Sequence, residues 1–114
     1  MKLVALVVAA AAALAAPAAF AGGTTLTGTD GPGFTITLTQ GGKKVTSLKA
    51  GTYTLKISDK SNIHNFHLTG PGVDKKTSVG AVQNVTWKVT LKKGTYKYVC
   101  DPHVSIMHGS FTVK

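Results

Sequence analysis

The chain has 114 residues, with 13 lysines, no arginine, four aspartates, no glutamate and one cysteine, and a formal net charge of +9. That length holds one domain, and a single cysteine excludes an internal disulfide framework. Without arginine or basic runs interleaved with aromatics, the positive charge is not the footprint of a nucleic-acid binder, and four aspartates scattered along the chain do not indicate a carboxylate pair for glycoside hydrolysis.

Residues 1–21 carry Lys2, an almost unbroken Ala/Val/Leu run and then Ala19-Phe20-Ala21, with small residues at the positions a signal peptidase reads. This pattern predicts a secretory signal peptide cleaved near Ala21. A membrane anchor needs ~20 apolar residues with charged flanks that hold the span, whereas Gly22-Gly23 and a Thr-rich stretch follow here. The expectation is a domain over residues 22–114, exported to the periplasm or beyond, with no membrane span. It keeps twelve lysines against four aspartates. Such a field favours an acidic partner and salt-dependent encounter; the plainer reading is that the lysines keep a small domain soluble.

In chain order, residues 24–29 form a short first strand around Leu26, ended by the dense turn signal Asp30-Gly31-Pro32-Gly33. Residues 34–39 alternate apolar and hydroxyl side chains, the period of a half-buried strand, and Gln40-Gly41-Gly42-Lys43 turns the chain. Tyr53, Leu55 and Ile57 mark a strand with Thr52, Thr54 and Lys56 on its other face. Residues 59–63 read as a loop, residues 64–69 as a strand stopped by Gly70-Pro71-Gly72, and residues 73–84 as loop with at most a short strand. Val85, Trp87, Val89 and Leu91 alternate with Thr86, Lys88 and Thr90, the cleanest strand in the chain. After Lys92-Lys93-Gly94 come Tyr96, Tyr98 and Cys100 at the same period, and Phe111 and Val113 close the chain. About seven to eight short strands at this spacing predict an all-β antiparallel sandwich or barrel.

One stretch carries chemistry: Cys100-Asp101-Pro102-His103-Val104-Ser105-Ile106-Met107-His108. A thiolate, an imidazole and a thioether able to reach one point suit a soft metal, above all copper cycling between Cu(I) and Cu(II). The bland alternative is a buried small cysteine with surface histidines. An unpaired thiol in an oxidising compartment is exposed to oxidation unless buried or ligated. A Cys100–His103 nucleophile pair is the enzymatic alternative, but two intervening residues and a nearby methionine fit ligation better.

A copper site of this kind takes two imidazoles and a thiolate with a weak axial thioether, so a second histidine must come from elsewhere. His64 and His67 are the distant candidates. Three residues apart, they face opposite sides of a strand. His64 shares its side with Phe66 and Leu68, the apolar face that goes inward, while His67 is expected to look at solvent.

The segments Ala50-Gly51-Thr52-Tyr53-Thr54, His64-Asn65, Gly94-Thr95-Tyr96-Lys97-Tyr98-Val99-Cys100 and Cys100-x2-His103-x3-Met107-x-Gly109 together resemble a cupredoxin, a small blue copper protein of the plastocyanin, pseudoazurin and amicyanin group. The resemblance spans residues 34–114. It implies a Greek-key β-sandwich, copper held by His64, Cys100, His103 and Met107, and an Asn65 that ties the two ligand loops together by hydrogen bonds. It further implies a non-enzymatic carrier of single electrons that meets a redox partner protein, the edge of His103 serving as electron port; the lysine excess adds the expectation of an acidic docking surface on that partner, and the protein is expected to be a monomer. The loop has three residues between His103 and Met107, where plastocyanin-like members have four and amicyanin-like ones two, and His108 competes with Met107 for the axial position. Two rivals remain: a copper carrier or buffer with the same ligands, His67 and His108 adding transfer sites, and a metal-free binding module on the same fold. Lys60, Lys75 and Lys76 are expected near the copper end, and Lys92 and Lys93 at the opposite end.

Overall fold

A computed structural model describes residues 24–114; the expected signal peptide, with its expected cleavage near Ala21, lies outside the described residues. Two five-stranded sheets face each other. The first has the order β3-β2-β1-β5-β8, from β1 (Thr25–Asp30), β2 (Ile36–Gln40), β3 (Lys43–Lys44), β5 (Gly51–Asp59) and β8 (Gln83–Leu91). The second has the order β4-β10-β9-β6-β7, from β4 (Ser47–Leu48), β6 (His67–Gly70), β7 (Val73–Lys76), β9 (Gly94–Val99) and β10 (His108–Val113). This is the expected all-β sandwich, with two of its ten strands only two residues long.

Period-2 patterning drives the packing, because successive side chains of a strand point to opposite faces. In β5, Tyr53, Leu55 and Ile57 are buried while Thr52 and Lys56 are exposed, as the alternation requires. Leu26, Leu38, Leu55, Phe66, Leu68 and Tyr96 are wholly inaccessible and join the facing sheets. Phe66 stacks on Tyr98 at 5.6 Å and Tyr96 on Phe111 at 5.3 Å, offset aromatic contacts of the kind that add to area burial.

Two features depart from the sequence reading. The sandwich is not purely antiparallel: β1 runs parallel to β5 and β4 parallel to β10. Hydrophobic alternation reports which face is buried, not strand direction, so sequence could not show this. Residues 64–66 are not strand either; β6 begins at His67, and His64, Asn65 and Phe66 are all buried with no alternation. His64 is therefore inward, as parity predicts, but because a loop tucks three consecutive side chains into the protein.

Topology gathers three loops at one end. Parallel pairing brings Asp30 beside Asp59 at the ends of β1 and β5, so the turn at residues 31–35 and the loop at residues 60–66 leave from the same place. The Lys60 amide donates to the Asp30 carbonyl at 2.9 Å. Antiparallel pairing of β6 with β9 sets His67 opposite Val99, which brings the start of the loop following β9 to that same end.

Candidate metal centre

Two loops deliver the donors: His64 comes from the loop between β5 and β6, and Cys100, His103 and Met107 from the loop between β9 and β10. Cys100 follows the last residue of β9, a 3-10 turn over Asp101–His103 reverses the chain, and the loop re-enters the sheet at β10. Its backbone is closed on itself: the His103 amide donates to the Cys100 carbonyl at 3.0 Å, the Met107 amide to the His103 carbonyl at 2.8 Å, and the Cys100 amide to the Met107 carbonyl at 3.0 Å. The ligand loop is thus a hydrogen-bonded unit before any metal enters.

Across it lies His64, fully buried. Its Nδ1 is 3.1 Å from Nδ1 of His103 and 3.7 Å from Sγ of Cys100, and the Cys100 sulfur is 3.5 Å from Nδ1 of His103. A point equidistant from three atoms so spaced is about 2 Å from each, the length of an imidazole-to-metal bond and slightly short of a thiolate-to-metal bond. Among the described residues these three form the cluster of His, Cys, Asp or Glu whose donor atoms can meet on one ion. The donor set and its spacing fit copper.

Burial leaves the centre electrostatically unfinished. Cys100 is a free, inaccessible thiol. Its burial pushes its pKa up, the backbone amides of Asn65 and His103 pull it down, and the carboxyls of Asp30 and Asp101 push it up again, leaving it raised. A metal that takes the thiolate must displace that proton. His64 Nε2 is buried without a hydrogen-bond partner, and the buried Asp30 carboxyl has no donor group facing it, only the side chain of Asp59, to which it can bond when protonated. Burial, together with the neighbouring Asp59, drives the Asp30 pKa from 3.8 to about 8.

Asn65 ties the loops together as the resemblance implies. Its side-chain amide donates to Asp101 Oδ2 at 2.8 Å and to the Thr77 carbonyl at 3.2 Å, and its carbonyl oxygen accepts from the Asp101 backbone amide at 2.8 Å. His67 is the corrected residue. Instead of looking freely at solvent it sets Nδ1 2.8 Å from Asp101 and Nε2 2.7 Å from Asp74, its side chain only 18% exposed. Burial lowers its pKa, but the bonds to Asp101 and Asp74 outweigh that and leave it raised, while Asp101, disfavoured by burial, is drawn below the usual carboxylate range by His67 and Asn65. Asp74 comes from the neighbouring strand β7 and Asp101 from the loop after β9, and neither pairing leaves a pattern around His67 in the sequence.

Met107 is inaccessible, whereas His108 is exposed and donates from Nδ1 to the Val104 carbonyl at 2.8 Å. The histidine thus spends a ring nitrogen on its own loop. Phe34, expected to open a strand, instead belongs to the turn before β2 and reaches the centre; an aromatic directly after Gly-Pro-Gly was the available clue. Lys76 pairs in register with His67 and acts on Asp101. Lys75 is not at this end: it lines a groove with Lys88 and Lys92.

Rusticyanin in its reduced form is similar in structure at 21% identity, over 79% of this chain and 78% of that one, with a TM-score of 0.57. Rusticyanin from Thiobacillus ferrooxidans aligns at 23% identity over 79% and 76%, with a TM-score of 0.54. Auracyanin A, a "blue" copper protein from the green thermophilic photosynthetic bacterium Chloroflexus aurantiacus, aligns at 17% identity over 79% and 98%, with a TM-score of 0.53. These likenesses establish the fold, and no curated protein sequence matches the chain. The model of the cupredoxin-like domain matches residues 3–113, nearly the whole chain, and the protein is a member of the cupredoxin-like family.

Proposed function

We propose that His64, Cys100, His103 and Met107 hold one copper ion and that the protein carries single electrons between redox partners. The observation that carries this reading is the triangle of two Nδ1 atoms and one sulfur, spaced to share an ion, with His64 and Cys100 buried and His103 partly so. Bound copper supplies the Cu(I)/Cu(II) couple. The chain supplies a frame that need not move: the Asn65–Asp101 bonds and the closed ligand loop fix the donors whichever oxidation state is present, which keeps rearrangement on electron transfer small. Met107 would be the fourth donor, buried and bonded through its backbone to both Cys100 and His103.

Only His103 among the four is partly exposed. Around the loops of this end Phe34, Ile63, Val104 and Ile106 are large apolar residues at least 49% exposed. They frame the His103 edge as the contact through which an electron leaves, and lysines beyond them select an acidic partner. We read the protein as an exported monomer on the strength of residues 1–21 and its small single domain; among the described residues no helix is long and apolar enough to cross a membrane. A copper carrier needs donors that a recipient can reach, and three buried ligands argue against it.

Loading with Cu(II) should give an intense visible band from thiolate-to-copper charge transfer. Cys100→Ala and His64→Ala should abolish it, and His67→Ala should keep it. A colourless protein with full copper occupancy would reject the proposal.

A further inference from the structure

Phe34 has no place in the core and is 52% exposed, yet it is more than a surface residue. Its ring centroid lies 4.9 Å from that of His64 and 4.8 Å from that of His103, at interplanar angles of 70° and 83°. The two imidazoles are themselves 4.8 Å apart at 82°. Three rings therefore meet edge to face in a closed triangle, the arrangement that aromatic quadrupoles favour.

The turn that carries Phe34 is shaped to put it there. The Gly31 amide donates to the Thr35 carbonyl at 2.9 Å, closing a loop of five residues. Gly31 has φ +71°, and a Cβ on it would stand 3.2 Å from His64 Cδ2 and 3.0 Å from Ser61 Cβ. Only a glycine lets the backbone lie this close against the imidazole in that conformation, so one end of the turn rests on His64 while the other brings Phe34 over it.

The two histidines need this unequally. His64 is packed on all sides. His103 is half-buried on an exposed loop: its backbone is hydrogen-bonded, and its imidazole has the buried His64 ring on its inner side and the exposed Phe34 ring as its other aromatic contact. We propose that Phe34 is a positioning residue that holds the His103 ring with its Nδ1 toward Cys100 and His64, and that it limits the access of competing ligands to the copper. This inference rests on the copper reading above and deepens it: the same residue that widens the apolar contact surface also governs how firmly the metal is kept.

The test has two arms. In the metal-free protein, proton NMR should show the His103 ring resonances displaced by the Phe34 ring current, and Phe34→Ala should return them toward the values of a mobile imidazole. In the copper-loaded protein, transfer of Cu(II) to excess EDTA should run about tenfold faster in Phe34→Ala, equivalent to about 1.4 kcal/mol in barrier, with Phe34→Leu intermediate and Phe34→Tyr within twofold of wild type. Rescue by tyrosine but not by leucine separates ring geometry from simple bulk. Unshifted His103 resonances in the wild type, or a Phe34→Ala release rate within twofold of wild type, overturns the proposal. If the visible band is missing from the wild type, the copper reading fails instead, and the metal-free NMR arm still decides whether Phe34 holds His103.

Discussion

The two ends of the sandwich are built on opposite rules. At the end away from the metal centre, the Tyr96 hydroxyl accepts from the Lys92 amide at 2.8 Å and lies 2.9 Å from the Lys92 carbonyl and 3.2 Å from that of Pro71. It closes the β8–β9 hairpin against the β6–β7 turn with its polar capacity used. At the other end His64 Nε2 is buried without a partner, the buried Asp30 carboxyl faces another acid, Asp59, and Cys100 keeps a buried thiol. Buried polar groups are costly unless satisfied. The cost therefore falls beside the donor triangle, on Asp30 and on the far nitrogen of the His64 ring, while the donor atoms themselves meet one another.

Overfilling the satisfied end should have the largest effect on stability. A Cβ on Gly70 would fall inside the Tyr96 ring, and that ring is held by its stack on Phe111 and by its hydroxyl, so it cannot yield cheaply. Gly70→Ala should lower unfolding free energy by about 3 kcal/mol, measured by urea titration. At temperatures where it remains folded the variant should keep the visible copper band. A loss of band without loss of stability would erase the separation between the two ends.

Relieving the strained end should do the reverse. Burial and Asp59 keep Asp30 protonated up to about pH 8, against an ordinary value of 3.8. The unfolded chain gives up that proton first, so stability present below about pH 4 is progressively lost as pH rises toward 8. Asp30→Asn removes the titrating group while keeping its shape. It should gain on wild type across that window and end about 2 kcal/mol more stable above pH 8, less than the full shift implies because Asp59 remains buried and the amide needs partners of its own. Parallel stability profiles for the two proteins between pH 4 and 9 would show that Asp30 carries no such penalty.

The same division explains what could be read from sequence. Strand residues such as Tyr53, Leu55 and Ile57 declare themselves because each pays for its position locally, by facing a core. Cys100, His103 and Met107 declare themselves because one loop carries all three. Strand parity puts His64 inward, and His64 is inward, but through the loop that buries His64, Asn65 and Phe66 together rather than through a strand face. Asp30 and the bridge from His67 to Asp74 and Asp101 are not legible, and Phe34 offers only its place after Gly-Pro-Gly. Their roles come from parallel pairing of β1 with β5 and from side-chain meetings between neighbouring strands and loops, neither of which leaves a period in the sequence.

The smallest expected effect concerns encounter with the partner and sharpens the comparison in functional terms. Lys60 stands in the loop before His64, and Lys76 pairs with His67 near Asp101. Lys92 and Lys93 sit at the far hairpin, where Gly72 lies against Lys92. All four are exposed, so neutralising any of them should cost little stability. An acidic partner approaching the His103 edge feels the first pair within about a Debye length, ~8–10 Å near physiological salt, and the second pair hardly at all. Lys60→Gln with Lys76→Gln should therefore slow second-order electron transfer a few-fold at low ionic strength, and the difference from wild type should fade as salt rises past about 0.1 M. Lys92→Gln with Lys93→Gln should leave the rate near wild type. Stopped-flow rates with an acidic and a basic redox protein of known potential separate this from a general charge effect: the basic partner should speed up in the first variant. Equal slowing at both ends, or a rate indifferent to salt, would mean that the lysines only keep the surface hydrated and that docking is left to the apolar collar alone.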